Sequence, residues 1–187
     1  MRKLLTFSLI LLLAACIDVD DFGAYWAKAS LDPALRGDWL TVKNEKGDDA
    51  PQKWRFIEKQ GAYKAQPYSM DGQKENGEEY PVKTFTVGPY KFFMRGQTDK
   101  LGGYLLRYQI TDGKLVVYML NDSAMEKFMN KNYPNRRNIY MGESWGKPEL
   151  KIKKFDGDVY KILAAIPDDE TYWHGEVKLA RIKQETK

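Results

Sequence analysis

The amino-acid sequence predicts a mainly β protein with short helices, in which an antiparallel meander of strands closes into a barrel. Past Pro33 the chain consists of short segments rich in aromatic and β-branched residues, separated by Gly, Pro, Asn and Asp. This arrangement is typical of successive antiparallel strands. The first hundred residues show no alternation of strands with helices, so a parallel sheet is not indicated. A meander of about nine strands removes its unpaired edges by closing on itself.

Nine segments carry the strand pattern. The clearest is a hairpin in which Tyr104, Leu106, Tyr108 and Ile110 share one face, and Asp112-Gly113 supplies the positive φ angles of a two-residue turn. Leu115, Val117 and Met119 continue the alternation on the return strand. The other predicted strands are GDWLTVKN, KWRFIEKQ, AYKAQPYSM, VKTFTVG, YKFFMRG, ELKIKKF and the closing TYWHGEVKLARIK.

Three segments carry helical spacing instead. Phe22, Tyr25, Trp26 and Ala29 form an amphipathic stripe near the start of the chain, which we expect to pack on the domain. In NDSAMEKFMNKN, Asp122 or Ser123 is the predicted N-cap. DGDVYKILAAIPDD predicts a helix with one apolar face that ends at Pro167.

The only cysteine of the chain, Cys16, follows a short apolar run. Arg2 and Lys3 form a positive head, and the uncharged stretch from Leu4 to Leu13 is too short to cross a bilayer, which takes about 20 helical residues. A positive head, a short apolar run and small residues describe an export signal. The segment LAAC resembles the lipobox of bacterial lipoproteins, in which the cysteine thiol receives a diacylglyceryl group and the signal is cut before it. An ordinary signal peptide with an incidental cysteine is the alternative.

The lipoprotein resemblance divides the chain into a signal peptide (1–15), a lipidated tether with a short helix (16–32) and a single domain (33–187). Acylated Cys16 would hold the protein on the lipid bilayer, because two or three acyl chains make a durable anchor. In this family an Asp directly after the cysteine favours the inner membrane, and this chain has Ile17 there. The resemblance therefore implies the outer membrane and its periplasmic face, with the inner membrane as the alternative.

A second resemblance concerns the start of the barrel. The segment DPALRGDWLTV resembles the opening of lipocalin-type barrels, where a Gly-x-Trp begins the first strand after a short helical turn. Here these residues are Gly37 and Trp39. Those families often place an arginine of the last strand over the tryptophan, and the corresponding residue here is Arg181. The resemblance implies a lipocalin-like barrel and gives the Trp39–Arg181 pair a structural role.

Two classes of function remain open. In the first, the barrel is a non-catalytic binding module, and an interior lined by Tyr104, Tyr108, Tyr118 and Met119 holds a small apolar or lipid-like molecule. These side chains would otherwise simply fill the core. In the second class the domain is a protein-binding lipoprotein, such as an inhibitor, an immunity factor or an envelope-assembly accessory. The segment YPNRRNIY suits this class, because Tyr and Arg are common at interface hot spots.

Other chemistry has little support in the sequence. GESWG fits the Gly-x-Ser-x-Gly motif around Ser144, but a strand pattern follows it where a serine hydrolase needs a helix. His174 is the single histidine, so we expect no zinc site, and no cofactor motif is present. Without Arg2 and Lys3 the chain has 28 basic and 26 acidic residues, and this balance gives no footprint for nucleic acid. We therefore expect a protein that is not an enzyme.

Overall fold

The fold is a closed antiparallel barrel of eight strands with extra strands outside it, as the sequence predicts, and it is consistent with a lipocalin-like barrel. The computed structural model describes residues 17–42, 53–68, 79–97, 100–144 and 147–182. In these residues the strands are β1 Ile17–Val19, β2 Gly37–Thr41, β3 Lys53–Lys59, β4 Ala62–Tyr68, β5 Tyr80–Val87, β6 Tyr90–Gln97, β7 Lys100–Thr111, β8 Lys114–Leu120, β9 Ile139–Ser144, β10 Lys147–Ile152 and β11 Trp173–Arg181. The helices are α1 Ala24–Lys28, α2 Asp122–Asn132 and α3 Gly157–Ala164, with a 3₁₀ turn at Pro33–Leu35.

The barrel closes in near-sequential order. Strands β2 to β8 pair with their neighbours along the chain, and β11 joins β8 to β2. The hairpin turn at Asp112-Gly113 has positive φ at both residues, as its sequence predicts. Every predicted strand is present in the described part of the chain, so the alternation of side chains along the strands identified them correctly.

Strand β7 carries a second, smaller sheet on the outside of the barrel. One edge of β7 pairs with β6, while the other edge pairs first with β1 and then with β8. Strand β1 also pairs in parallel with β10, and β10 pairs with β9. Two glycines of β7 allow this fork. A methyl group at Gly102 would overlap the carbonyl oxygens of Val19 and Asp20. A methyl group at Gly103 would overlap the carbonyl oxygen of Arg95.

The two sheets produce two cores, one on each face of β6 and β7. Phe93 and Tyr108 point into the barrel, where they join a core that includes Trp39. Phe92 and Leu105 point outward into a second core. That outer core is completed by buried side chains of β1, β9, β10 and the two C-terminal helices, namely Ile17, Val19, Ile139, Leu150, Ile152, Met125, Met129, Val159, Ile162 and Leu163.

The start of the described chain differs from the predicted tether. Ile17–Val19 is a strand of the sheet rather than a linker, and the Ile17 side chain is 3% exposed. Alternation within three residues is too short a signal to identify a strand without its partners. The helix that follows packs on the domain as expected, with the Tyr25 ring edge-on to Phe85 and Phe155 at 5.4 and 4.8 Å between ring centres.

The N-cap of α2 lies one residue before the first predicted position. Asn121, not Asp122 or Ser123, caps α2, accepting a hydrogen bond on its side-chain oxygen from the Ala124 N–H at 3.2 Å. Asp156 caps α3 through the N–H groups of Asp158 and Val159.

No helix among the described residues has the length and apolar character needed to cross a membrane.

Candidate ligand-binding site

The barrel contains an apolar cavity of about 90 Å³. Seven of its lining residues are buried, namely Phe56, Ala65, Val82, Phe93, Leu115, Val117 and Leu179. Five more are half-buried: Trp54, Tyr80, Arg95, Leu106 and Val177. We call these five half-buried residues the mouth. Strands β3 to β8 and β11 all contribute lining residues, so the cavity lies inside the barrel.

One end of the barrel is closed by Trp39. Its side chain is fully buried, and its Nε1–H donates to the carbonyl oxygen of Leu35 at 2.7 Å. The guanidinium of Arg181 lies 4.5 Å from the centre of the Trp39 ring and also donates to the carbonyl oxygens of Ala34 and Arg36. The structure therefore brings together the two residues that the lipocalin resemblance pairs.

Asp32 holds the 3₁₀ turn at Pro33–Leu35 against the barrel wall. Its carboxylate accepts from the Tyr108 hydroxyl and from Lys91 Nζ, each at 2.9 Å, and from the Ala34 N–H at 3.0 Å. Burial disfavours its charged form, but these three hydrogen bonds outweigh burial, and the pKa of the Asp32 carboxyl falls below its usual value. Burial in turn raises the pKa of Tyr108, and the neighbouring Asp32 raises it further, so this hydroxyl stays protonated. The Tyr63 hydroxyl adds a hydrogen bond to the Asp32 carbonyl at 3.1 Å.

The four residues predicted for ligand binding do not come together, and none of them is among the residues that line the cavity. Tyr108 is in the barrel interior, where its ring stacks on Phe93 at 4.2 Å, near the closed end rather than on the cavity wall. Tyr104 faces its cross-strand partner Arg95 in the mouth, and the Arg95 guanidinium is 5.5 Å from its ring centre. Half-buried Met119 pairs with His174 across β8 and β11 and is not among the lining residues.

Tyr118 lies on the outer face of the barrel, contrary to the prediction that it lines the interior. Its neighbour Val117 faces the cavity, and successive strand residues point to opposite faces, so both cannot face inward. The outer-face site is instead an aromatic cluster around Arg107, which is 7% exposed. The Arg107 guanidinium lies 4.3, 4.6 and 4.8 Å from the ring centres of Tyr90, Tyr118 and Trp173.

The candidate residues for other chemistry do not form a site in the described residues. Ser144 ends β9 and the next described element is another strand, so this serine does not occupy a strand-to-helix turn. His174 is exposed on β11. No group of three or more His, Cys, Asp or Glu side chains that could hold a metal occurs among the residues that the structure describes. Cys16 lies outside the described residues.

The segment predicted as a protein-binding loop is partly held by its own contacts. Arg136 donates to the carbonyl oxygen of Tyr133 at 3.1 Å and to the side chain of Asn130 at 2.8 Å. Of its tyrosines and arginines, Tyr140, at 41% exposure, and Arg137 are exposed. Tyr140 belongs to β9, the last strand in the order of the sheet.

Comparison of the chain with protein-family models, with curated proteins and with solved structures finds no match. The class of protein is therefore defined by the geometry itself. It is a closed antiparallel β-barrel with an apolar internal cavity, a fold compatible with a binding module.

The mouth of the cavity is the part of the site that sequence reasoning missed. Arg95 and Phe93 are two residues apart on β6 and therefore share a face, and both line the cavity. Phe92, Phe93 and Met94 are all buried, so alternation along β6 does not show which face lies inside the barrel. The regular alternation of Tyr104 and Tyr108 instead predicts binding residues on the hairpin of β7 and β8.

Proposed function

We propose that this protein is a lipid-anchored, non-catalytic binding module whose barrel holds a small apolar or lipid-like molecule. The observation that carries the proposal is the cavity in the barrel, whose wall is formed by aliphatic and aromatic side chains. A core that simply filled the barrel would leave no such space, since well-packed interiors have few voids larger than a water molecule.

The size of the cavity limits the ligand. Its volume of about 90 Å³ is well below the range of about 300–1,000 Å³ that is typical of sites for drug-sized ligands. The ligand is therefore expected to be small, with a short chain or a single ring inside the barrel.

The proposed anchor places the barrel close to a membrane. The LAAC segment supports acylation of Cys16, and the absence of Asp directly after it favours the outer membrane and its periplasmic face over the inner membrane. Because Ile17 is buried in the sheet, no spacer separates Cys16 from the folded domain. An acyl group on Cys16 would hold the domain directly against the lipid surface, where apolar molecules are available.

The binding function can be tested by calorimetry with butylbenzene, a neutral probe that has one ring and one short chain. The protein would be a chain that starts at residue 16 and carries Cys16→Ser, because this chain retains every described residue and lacks the lipid. We expect saturable binding of one probe per chain. Ala65→Phe, which adds bulk inside the cavity, should abolish binding, whereas Ala165→Phe, at an exposed position after α3, should not.

A second cavity variant guards against loss of folding in the first. Val177 is half-buried in the mouth, so Val177→Phe should obstruct the cavity with less strain in the core. Circular dichroism would establish that each variant is folded. Absence of saturable probe binding by the unsubstituted barrel would overturn the proposal and leave a protein-binding lipoprotein as the better hypothesis, with the exposed Tyr140 on β9 as its first candidate contact.

A further inference from the structure

The mouth of the cavity contains one charged side chain. Arg95 is the single charged member of the lining residues that the structure describes, and the residues around it in the cavity wall are apolar or aromatic. It lies near the end of β6, two residues after Phe93, so its side chain is directed to the interior face of the barrel. A ligand inside the cavity would therefore meet a guanidinium group at one end.

Among the described residues, the contacts of Arg95 are with aromatic rings. The guanidinium lies 3.5 Å from the centre of the Tyr80 ring and 5.5 Å from that of Tyr104. These stacking contacts hold the side chain in place, but aromatic rings carry no negative charge. Among the described residues, no carboxylate forms an ion pair with Arg95.

Arg107 provides an internal comparison. It is also surrounded by aromatic rings, yet its Nη2 donates to the Asp168 carboxylate at 2.5 Å. Arg55 likewise forms a two-pronged pair with Asp38, at 2.6 and 2.9 Å. Each of these two structural arginines thus has a carboxylate partner, and the arginine in the mouth has none in the described part of the chain.

The geometry of a stacked guanidinium determines what it can bind. Stacking uses the flat face of the group, so the N–H donors along its edge remain available. These donors form a planar fork that matches the two oxygens of a carboxylate or the oxygens of a phosphate. The apolar wall beyond Arg95 requires a hydrocarbon part in the same molecule.

We propose that the barrel binds a short single-chain amphiphile with an anionic head, with the chain in the cavity and the carboxylate or phosphate on Arg95. This inference rests on the proposed function and adds to it the chemical class of the ligand and the residue that selects it. Amphiphiles of the same chain length with other heads bind more weakly, because a neutral hydroxyl oxygen accepts from Arg95 without offsetting its charge, and a quaternary ammonium head accepts no hydrogen bond.

The test compares ligands that share a chain and differ in the head. Octanoate, octyl phosphate, 1-octanol and octyltrimethylammonium would each be titrated into the Cys16→Ser chain that starts at residue 16, with binding measured by calorimetry. We expect both anions to bind about 10- to 100-fold more tightly than 1-octanol, since a hydrogen bond to a charged group contributes about 1.5–3 kcal/mol. The tighter of the two anions distinguishes a carboxylate ligand from a phosphate headgroup.

The variants assign this preference to Arg95. Arg95→Gln should remove the preference for the anions, so that octanoate, octyl phosphate and 1-octanol bind with similar affinity. Arg95→Lys, which keeps the charge without the planar fork, should retain part of the preference. Lys178→Gln, the same loss of charge at an exposed position of β11, should bind all four ligands as the unsubstituted barrel does.

Two negative results have different meanings. Equal affinity for octanoate, octyl phosphate and 1-octanol, or an anion preference that survives Arg95→Gln, would overturn the role of Arg95 and leave the apolar binding function intact. Failure of all four ligands to bind, together with failure of butylbenzene to bind, would overturn the proposed function itself.

Discussion

The guanidinium of Arg181, in the last strand of the barrel, lies 4.5 Å from the centre of the ring of Trp39, in the first. The same guanidinium donates to two carbonyl oxygens of the segment that precedes β2. One side chain thus joins the two ends of the meander and covers the tryptophan that closes the barrel. A cation over an indole is worth about 0.5–2 kcal/mol, depending on how far it is desolvated.

The first prediction concerns this pair. Trp39→Ala should lower the free energy of unfolding by about 3–5 kcal/mol, because it removes a fully buried aromatic side chain. Arg181→Ala should cost about 1–2 kcal/mol. In urea denaturation the double variant should show a coupling of about 0.5 kcal/mol or more. Lys178→Ala is the control on the same strand, and strictly additive losses for Trp39 and Arg181 would show that the two residues do not stabilise each other.

The second prediction concerns the fork at β7. A methyl group at Gly102 would overlap the backbone of β1, so Gly102→Ala should displace that strand and cost about 1–3 kcal/mol or more. Hydrogen exchange should show reduced protection of the Val19 amide, which belongs to the displaced strand. Gly157→Ala is the matched control, since nothing lies within 4 Å of an added methyl group there. Equal denaturation midpoints for the two variants would contradict the close approach of β1 and β7.

The sequence predicted the barrel better than the small outer sheet, for a physical reason. Barrel strands such as β2 and β8 have one face in the barrel core and a more exposed face outside, so alternation identifies them before their partners are known. Strand β9 lies in NIYMGES, next to a segment of Pro, Asn and Arg that indicates a turn. Its position depends on pairing with β10. Strand β1 has three residues, too few for any pattern.

The site was less predictable than the fold because a cavity depends on where along the barrel axis the inward-facing side chains lie. Alternation predicts which residues face inward, as for Tyr108, but the register of all eight strands decides which inward residues fill the closed end and which surround the space. Arg95 enters the mouth because β6 pairs it with Val82 and Tyr104. These pairings join residues far apart in sequence, and no local pattern contains them.

The third prediction is a pH dependence that originates at Asp122. Burial raises the pKa of this carboxyl to about 6, although the Leu150 N–H donates to it at 2.9 Å. The folded protein therefore holds the proton more tightly than the unfolded chain, whose reference pKa is 3.8. The stability contributed by the protonated form is fully present below pH 3.8 and is lost as the pH rises through about 6.

Asp122→Asn tests this dependence, because the amide keeps an oxygen acceptor and does not titrate. At pH 8 the variant should be more stable than the unsubstituted protein by about 1 kcal/mol, a figure reduced to allow for the partial exposure of the side chain. The difference should shrink as the pH approaches 4. The exposed Asp20, changed to Asn, controls for the loss of a charge. A stability difference that is the same at pH 4 and pH 8 would show that Asp122 does not cause the dependence.

The last prediction concerns the anchor. In cells given labelled palmitate, the full chain should incorporate label and fractionate with membranes, and Cys16→Ser should abolish both, because the chain has no second cysteine to replace the thiol. The direct junction between Cys16 and β1 has a second testable consequence. Ile17 is 3% exposed and pairs with Leu105, so the acylated domain should be held close to the bilayer. A broad-specificity protease should therefore release the domain from membranes slowly, whereas a ten-residue linker that carries a cleavage site, inserted between Cys16 and Ile17, should allow rapid release. Membrane fractionation that persists in Cys16→Ser would refute the anchor, and rapid release without the linker would refute the direct junction.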